Sequence, residues 1–256
     1  MPFQNLRLSQ VFLRDVSFAE PLLELADFSG KRVLEIGAGE GVVTEYLAAR
    51  AKTVTALEVD ARLAAGLKQK FQTSKNVTVV QADALAYPLD SEVIVGFLPY
   101  HLSSPLLFRI LEARFQDALL CLQKEFAQRL VAAPGSNDWS RLSVMAQNAA
   151  DIQFLGVVPR TAFAPMPKVD SALVHLLKNP KFPLDEPLVS CLFQHKNQTV
   201  KNALWHSRKK IGVPEARLKL ELPLLPFASE KPRSLPLEQL ALLSKAYRAL
   251  LGGPPS

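Results

Sequence analysis

Short apolar runs rich in β-branched residues recur along the chain and stop after Asn179-Pro180. Those at 32–36, 53–58, 77–81, 92–96, 118–122, 152–158 and 171–177 have the length and bounding turn residues of strands. Between the earlier ones, 42–51, 61–71 and 105–115 carry apolar residues at helical spacing. Ser17 followed by Glu20 makes a capping-box signal for another helix reaching Ala26. Strand and helix in alternation predict a doubly wound, mostly parallel sheet, a Rossmann-like α/β fold. Beyond residue 180 only helical patterns remain, running to Leu251 and stopped by Gly252-Gly253-Pro254. The predicted organisation is an α/β domain over 1–180 and a smaller all-helical domain over 181–256.

Composition bounds the chemistry. A chain of 256 residues, 48% hydrophobic, can bury a large core. Cys121 and Cys191 lie far apart without metal-ligand spacing, so neither a metal site nor a disulfide is expected, and both read as small buried apolar residues. The first residues lack the apolar stretch of a signal peptide, and no later run is long enough to span a bilayer. A soluble, cytoplasmic, monomeric protein without membrane or metal partners is the expectation. The net charge of +6 is concentrated in one segment, 195–219, where seven Lys or Arg face the single acid Glu215. Elsewhere basic and acidic residues are equal at 23 each. Such a basic face is an electrostatic footprint for a phosphate backbone, and Lys196, Lys201, Arg208, Lys209 and Lys210 are its candidate RNA-binding residues.

The first predicted strand runs into Glu35-Ile36-Gly37-Ala38-Gly39-Glu40-Gly41 and then a helix. Glycines at a strand-to-helix turn let the backbone approach a nucleotide-bearing ligand closely. Their spacing differs from the G-x-G-x-x-G dinucleotide fingerprint. Glu58, 21 residues beyond Gly37, ends the second strand where a carboxylate can accept both ribose hydroxyls. Asp83 follows the third strand, placed to accept from an adenine amine. No phosphate-binding lysine adjoins the glycines, and Glu35 and Glu40 would repel a pyrophosphate. A cationic cofactor, S-adenosylmethionine, suits these acids.

The fourth predicted strand leads into Gly96-Phe97-Leu98-Pro99-Tyr100-His101. Here the chain strongly resembles the KsgA family of ribosomal RNA small-subunit adenine N6-dimethyltransferases, whose motif is Asn-Leu-Pro-Tyr. The resemblance extends over nearly the whole chain. It takes in Ser9-Gln10-Val11-Phe12-Leu13, the stretch from Leu122 to Val144, Phe163-Ala164-Pro165-Met166-Pro167-Lys168-Val169-Asp170-Ser171 and, more loosely, Phe193 to Leu204. It implies a class I S-adenosylmethionine-dependent methyltransferase sheet. Gln10, Val11, Leu13, Glu35, Gly37, Gly39, Glu58, Val59, Asp83, Ala84 and Phe97 would surround the cofactor. Phe97, Leu98, Pro99, Tyr100 and Phe163 would form the catalytic pocket.

The chemistry explains such a pocket. Adenine N6 is a weak nucleophile because its lone pair is delocalised, so the base must be held outside its helix and its amine polarised. Backbone carbonyls at a Pro-containing turn can accept the N6 hydrogens, and Tyr100 can grip one base face. By resemblance, Phe163 closes the other, with stacking worth roughly 1–3 kcal/mol per base. No metal or covalent intermediate is needed, and His101 reads as a loop residue rather than a general base.

Two positions depart from the family pattern: Val11 and Phe97 stand where the family has Asn. The second family Asn accepts from the target amine and lies against the cofactor. Losing one such transition-state hydrogen bond costs on the order of 10²–10³ in rate. The leading expectation is dimethylation of two adjacent adenines near the 3′ end of small-subunit RNA, or of its precursor particle. The alternative from another class is a ribosome-assembly factor that binds RNA with reduced or lost catalysis. A large-subunit methyltransferase conferring antibiotic resistance and a transcription-factor relative of the same fold are further readings. The match from Leu122 to Val144 favours the small-subunit branch.

Overall fold

A computed structural model describes residues 12–14 and 16–251. They divide into two compact units. One comprises the residues up to Gln128 together with Ala150–Lys178, the other Arg129–Ala149 together with the residues from Asn179 onward. The segment 129–149, expected within the sheet domain, clusters with the helices. Its apolar side chains Trp139 and Val144 belong to the helical core, a tertiary pairing with no local pattern to announce it.

The first unit is built on a seven-stranded sheet. Its strands are β2 (Arg32–Ile36), β3 (Thr53–Glu58), β4 (Val77–Gln81), β5 (Val93–Phe97), β6 (Asp117–Gln123), β7 (Ala150–Val158) and β9 (Ser171–Lys178). The order is β4-β3-β2-β5-β6-β9-β7. The first four neighbouring pairs are parallel and the last two antiparallel. The antiparallel pair β7/β9 follows from its connection, which holds a 3-10 turn and the two-residue β8 (Phe163–Ala164) but no crossover helix. Central strands are apolar on both faces, and Val93, Ile94 and Val95 are fully buried. Helices α2 (Val42–Ala48), α3 (Ala61–Lys70) and α4 (Ser103–Glu112) connect the parallel strands or follow them. From β2 the order runs one way through β3 and β4 and the other way through β5 and β6. Such a reversal opens a crevice at the carboxyl ends of the strands.

Two short strands lie outside this sheet: β1 (Phe12–Leu13) pairs antiparallel with β8, setting Leu13 opposite Phe163. The expected capping-box helix is only α1 (Glu20–Leu23), with Ala19 at its N-cap and no side-chain cap. Ser17 falls inside the preceding 3-10 turn Val16–Phe18, and Pro21 sets the helical start close to Glu20.

The second unit packs α6 (Arg141–Ala149), α7 (Glu186–Gln194), α8 (Val200–His206), α10 (Glu215–Glu221) and α11 (Leu237–Leu250) around Trp139, Leu192, Leu204 and Leu243. The short helix α9 (Arg208–Ile211) lies in the same unit, whereas α5 (Lys124–Leu130) falls mostly in the first. The buried indole of Trp139 donates to the Leu235 carbonyl at 3.2 Å, which satisfies its N–H inside the core.

Candidate active site

The glycine loop after β2 takes its shape from positive φ angles at Gly37 (+76°), Gly39 (+56°) and Gly41 (+80°). A Cβ at Gly39 would lie 2.8 Å from the Phe12 ring, and one at Gly37 would face the Phe97 carbonyl at 3.6 Å. The loop is fastened to the end of β3. The Gly37 and Ala38 amides both donate to the Leu57 carbonyl at 3.0 Å. The buried Glu58 carboxylate accepts from the Gly39 amide at 2.8 Å and from the Asp60 amide at 2.9 Å. At the end of β4, the exposed Asp83 accepts from the Leu85 amide at 2.8 Å, which fixes the turn carrying it.

These three strand ends line one cleft of about 1080 Å³, open mouth included. It contains Leu13, Glu35, Gly37, Gly39, Glu58, Val59, Asp83 and Ala84 from the cofactor expectation, and Phe97, Leu98, Pro99, Tyr100 and Phe163 from the target-base expectation. Gln10 and Val11 lie outside the described residues. His101 is exposed and absent from the cleft wall.

Glu35 corrects one electrostatic expectation. Its carboxyl is buried, accepts from the Thr44 hydroxyl at 2.6 Å, and is pushed up to about 8 chiefly by burial. At neutral pH it is largely protonated and offers little charge to repel a pyrophosphate or attract a cation. The other acids lining the cleft are Glu40, Glu58 and Asp83.

Phe97 ends β5 opposite Cys121 of β6, and its half-buried side chain packs against the core beneath the cleft. The Leu98 amide donates to the Cys121 carbonyl at 3.2 Å. On the other side, the Gly37 and Ala38 amides both donate to the Leu57 carbonyl of β3, and the Phe97 carbonyl faces the glycine loop. The Tyr100 and Ser171 hydroxyls are hydrogen-bonded at 2.8 Å. Burial raises the Tyr100 phenol above its ordinary value, keeping it neutral.

Phe12, Cys121 and Ser171 also line the cleft, beyond the residues expected there. Cys121 is buried, as expected of a small apolar residue, yet its position opposite Phe97 brings it to the cleft. Phe12 and Ser171 both sit in motifs that carry the family resemblance, which was the available signal.

In the helical unit the basic segment is uneven. Lys196 donates to the Asn137 and Trp139 carbonyls at 2.6 and 3.2 Å. Arg208 pairs with Glu215 at 2.8 Å, and its guanidinium lies over the Trp205 ring at 4.9 Å. Lys210 reaches Gln194 at 3.1 Å, whereas Lys201 and Lys209 are exposed. Among the described residues no group of three or more His, Cys, Asp or Glu is placed to hold a metal, and no helix is long and apolar enough to cross a membrane.

Comparison with known proteins matches residues 3–217 to the family described as ribosomal RNA adenine dimethylase. A relative named probable ribosomal RNA small subunit methyltransferase A, from Methanopyrus kandleri, is 40% identical over 260 aligned residues, covering 96% of this chain and 93% of that protein. The crystal structure of a dimethyladenosine transferase from Plasmodium falciparum superposes with a TM-score of 0.79 at 26% identity, covering 94% of this chain and 98% of that one. The 23S rRNA methyltransferase ErmE gives 0.67 at 31% identity over 92% of this chain and 99% of its own.

Proposed function

The chain belongs to the ribosomal RNA adenine dimethylase family, and from that premise we propose that it methylates two adjacent adenines at N6 near the 3′ end of small-subunit ribosomal RNA, using S-adenosylmethionine. The observation that carries this reading is that the glycine loop with its two strand-end acids and the Phe97–Tyr100 turn form the walls of one cleft at the reversal of strand order. The donor set fits the cofactor. Glu58, already held by two amides, keeps lone pairs for ribose hydroxyls, Asp83 offers an acceptor at the mouth, and Gly37 leaves the backbone open beside the Phe97 carbonyl.

When bound, S-adenosylmethionine supplies an electrophilic methyl group. The chain's own residues present and polarise the amine. Tyr100 and Phe163 hold the two faces of the adenine, and the Phe97 carbonyl with its neighbouring backbone accepts the N6 hydrogens that a family Asn would otherwise share. Phe97 itself excludes water from the junction of the two half-sites. The N6 proton becomes acidic once the nitrogen is alkylated and leaves to solvent, so no side-chain base is required. Lys201 and Lys209 contribute phosphate contacts from the helical unit.

The small-subunit target rests on the naming of the relatives at about 40% identity against a more distant large-subunit enzyme. A monomeric enzyme in the cytoplasm is part of the same proposal. The test is incubation with labelled S-adenosylmethionine and immature small subunits, followed by mapping of the modified base. Label in the paired adenines supports the proposal. Label only elsewhere in that RNA overturns the target, and subunit binding without turnover returns the assembly-factor reading.

A further inference from the structure

We propose that Ser171 is a positioning residue for methyl transfer, anchoring the ring of Tyr100 through the hydrogen bond between their hydroxyls. The inference deepens the reading of Tyr100 as a stacking platform and rests on it.

Tyr100 begins the 3-10 turn Tyr100–Leu102 directly after Pro99, outside any strand, so no ladder fixes it in place. Its ring is half-buried in the cleft wall, and a phenol there needs a partner for its hydroxyl. Ser171 provides one at 2.8 Å. Unlike Tyr100, Ser171 is rigidly held. It is 1% exposed and opens β9, paired at once with Gln123 of β6 and Val158 of β7. The phenol–serine bond ties the base platform to the end of a strand held on both sides.

The tether matters more here because of Phe97. With no carboxamide at that position, no side chain there can hold the adenine amine by a hydrogen bond. In-plane placement of the base then depends on stacking and on backbone carbonyls. A stacking ring free to tilt would let N6 drift from the methyl group, and an in-line displacement is steep in that coordinate. Fixing the ring at its hydroxyl end, the end farthest from its own backbone, is the most effective single restraint on tilt.

The test compares Ser171→Ala, Tyr100→Phe and the double variant in the full chain, with small-subunit RNA and S-adenosylmethionine. Each single change is expected to lower kcat about two- to tenfold, with cofactor KM and melting temperature near the parent's. The double variant should be no slower than the slower single, because both remove one bond. Ser171→Thr, which keeps a hydroxyl, should recover most of the rate. Losses that multiply in the double variant, or a parent-like kcat in both singles, would overturn the tether. Tyr100→Ala separates the layers. If it is inactive while Tyr100→Phe and Ser171→Ala run at full rate, only the tether fails. If Tyr100→Ala keeps full activity, the stacking platform fails, and the tether with it.

Discussion

Glu58 and Gly39 are joined by a 2.8 Å hydrogen bond from the loop amide to the carboxylate, so the acid that would take the ribose also shapes the loop beneath the cofactor. Removing it does two kinds of damage at once. Glu58→Ala is expected to weaken S-adenosylmethionine binding about 10- to 100-fold, the range for losing charged hydrogen bonds at a buried site. Glu58→Gln should lose less, since one oxygen remains to accept from the Gly39 amide. Calorimetric titration of the two variants checks this. Equal affinity in parent and Glu58→Ala would remove Glu58 from the binding site.

Glu35 makes stability depend on pH. Its carboxyl is raised from an ordinary 4.5 to about 8 by burial, so the folded chain holds that proton more tightly than the unfolded chain. The contribution is fully present below about pH 4.5 and is lost as pH rises toward 8, by about 1.4 kcal/mol per pH unit at most. Glu35→Gln, neutral at every pH, should flatten the melting-temperature profile between pH 5 and 8 relative to the parent. Thr44→Val removes the hydrogen bond that favours the carboxylate and should extend the sloping region to higher pH. Parallel profiles for parent and Glu35→Gln would show that this carboxyl does not titrate in that window.

Legibility in the sequence followed the range of the interactions. β3 begins at Thr53 and ends at Glu58 in sequence and structure alike, because an apolar run between turn residues is a local signal. Glu58, Asp83 and the glycines fell at strand ends, so their convergence followed once a parallel sheet was inferred. Ser171 was visible only as part of a family motif, because the role proposed for it arises from a hydrogen bond with Tyr100, 71 residues away, which no periodicity records. The β1/β8 pairing, two residues on each side, is too short for an alternating pattern. The protonation of Glu35 depends on burial at a depth that an acidic letter beside glycines does not reveal.

In the proposed mechanism Phe97 decides how the amine is polarised. Its side chain packs against the core, so Phe97→Asn is expected to cost about 0.5–3 kcal/mol of stability. If the Phe97 carbonyl and stacking now do the work of the family's carboxamide, the same variant should still raise kcat or shift product toward dimethyladenine, because an acceptor returns where charge develops. Mass spectrometry of digested RNA reads the mono- to dimethyl ratio directly. A Phe97→Asn protein that is folded but slower would mean that the apolar pocket works by a different arrangement and that the lost acceptor is not the limiting feature.

The basic segment contains residues of two kinds, and the structure predicts that they separate by experiment. Lys196 spends its ammonium on the Asn137 and Trp139 carbonyls, where it holds the loop that delivers Trp139 to the helical core. Lys196→Ala should therefore lower the melting temperature while changing the salt dependence of RNA binding little. Lys201 and Lys209 are exposed and accessible to phosphate. Replacing both with Ala should leave melting unchanged, weaken binding similarly for different RNA sequences, and reduce the slope of log K against log salt by about 0.7–0.9 for each phosphate no longer neutralised. Arg208 lies between the two kinds, because Glu215 already neutralises it. Its replacement should give a smaller change in slope than either lysine. Titrations at several salt concentrations with cofactor affinity measured alongside separate these effects, and an unchanged slope in the Lys201/Lys209 double variant would reduce those two lysines to solubilising charges.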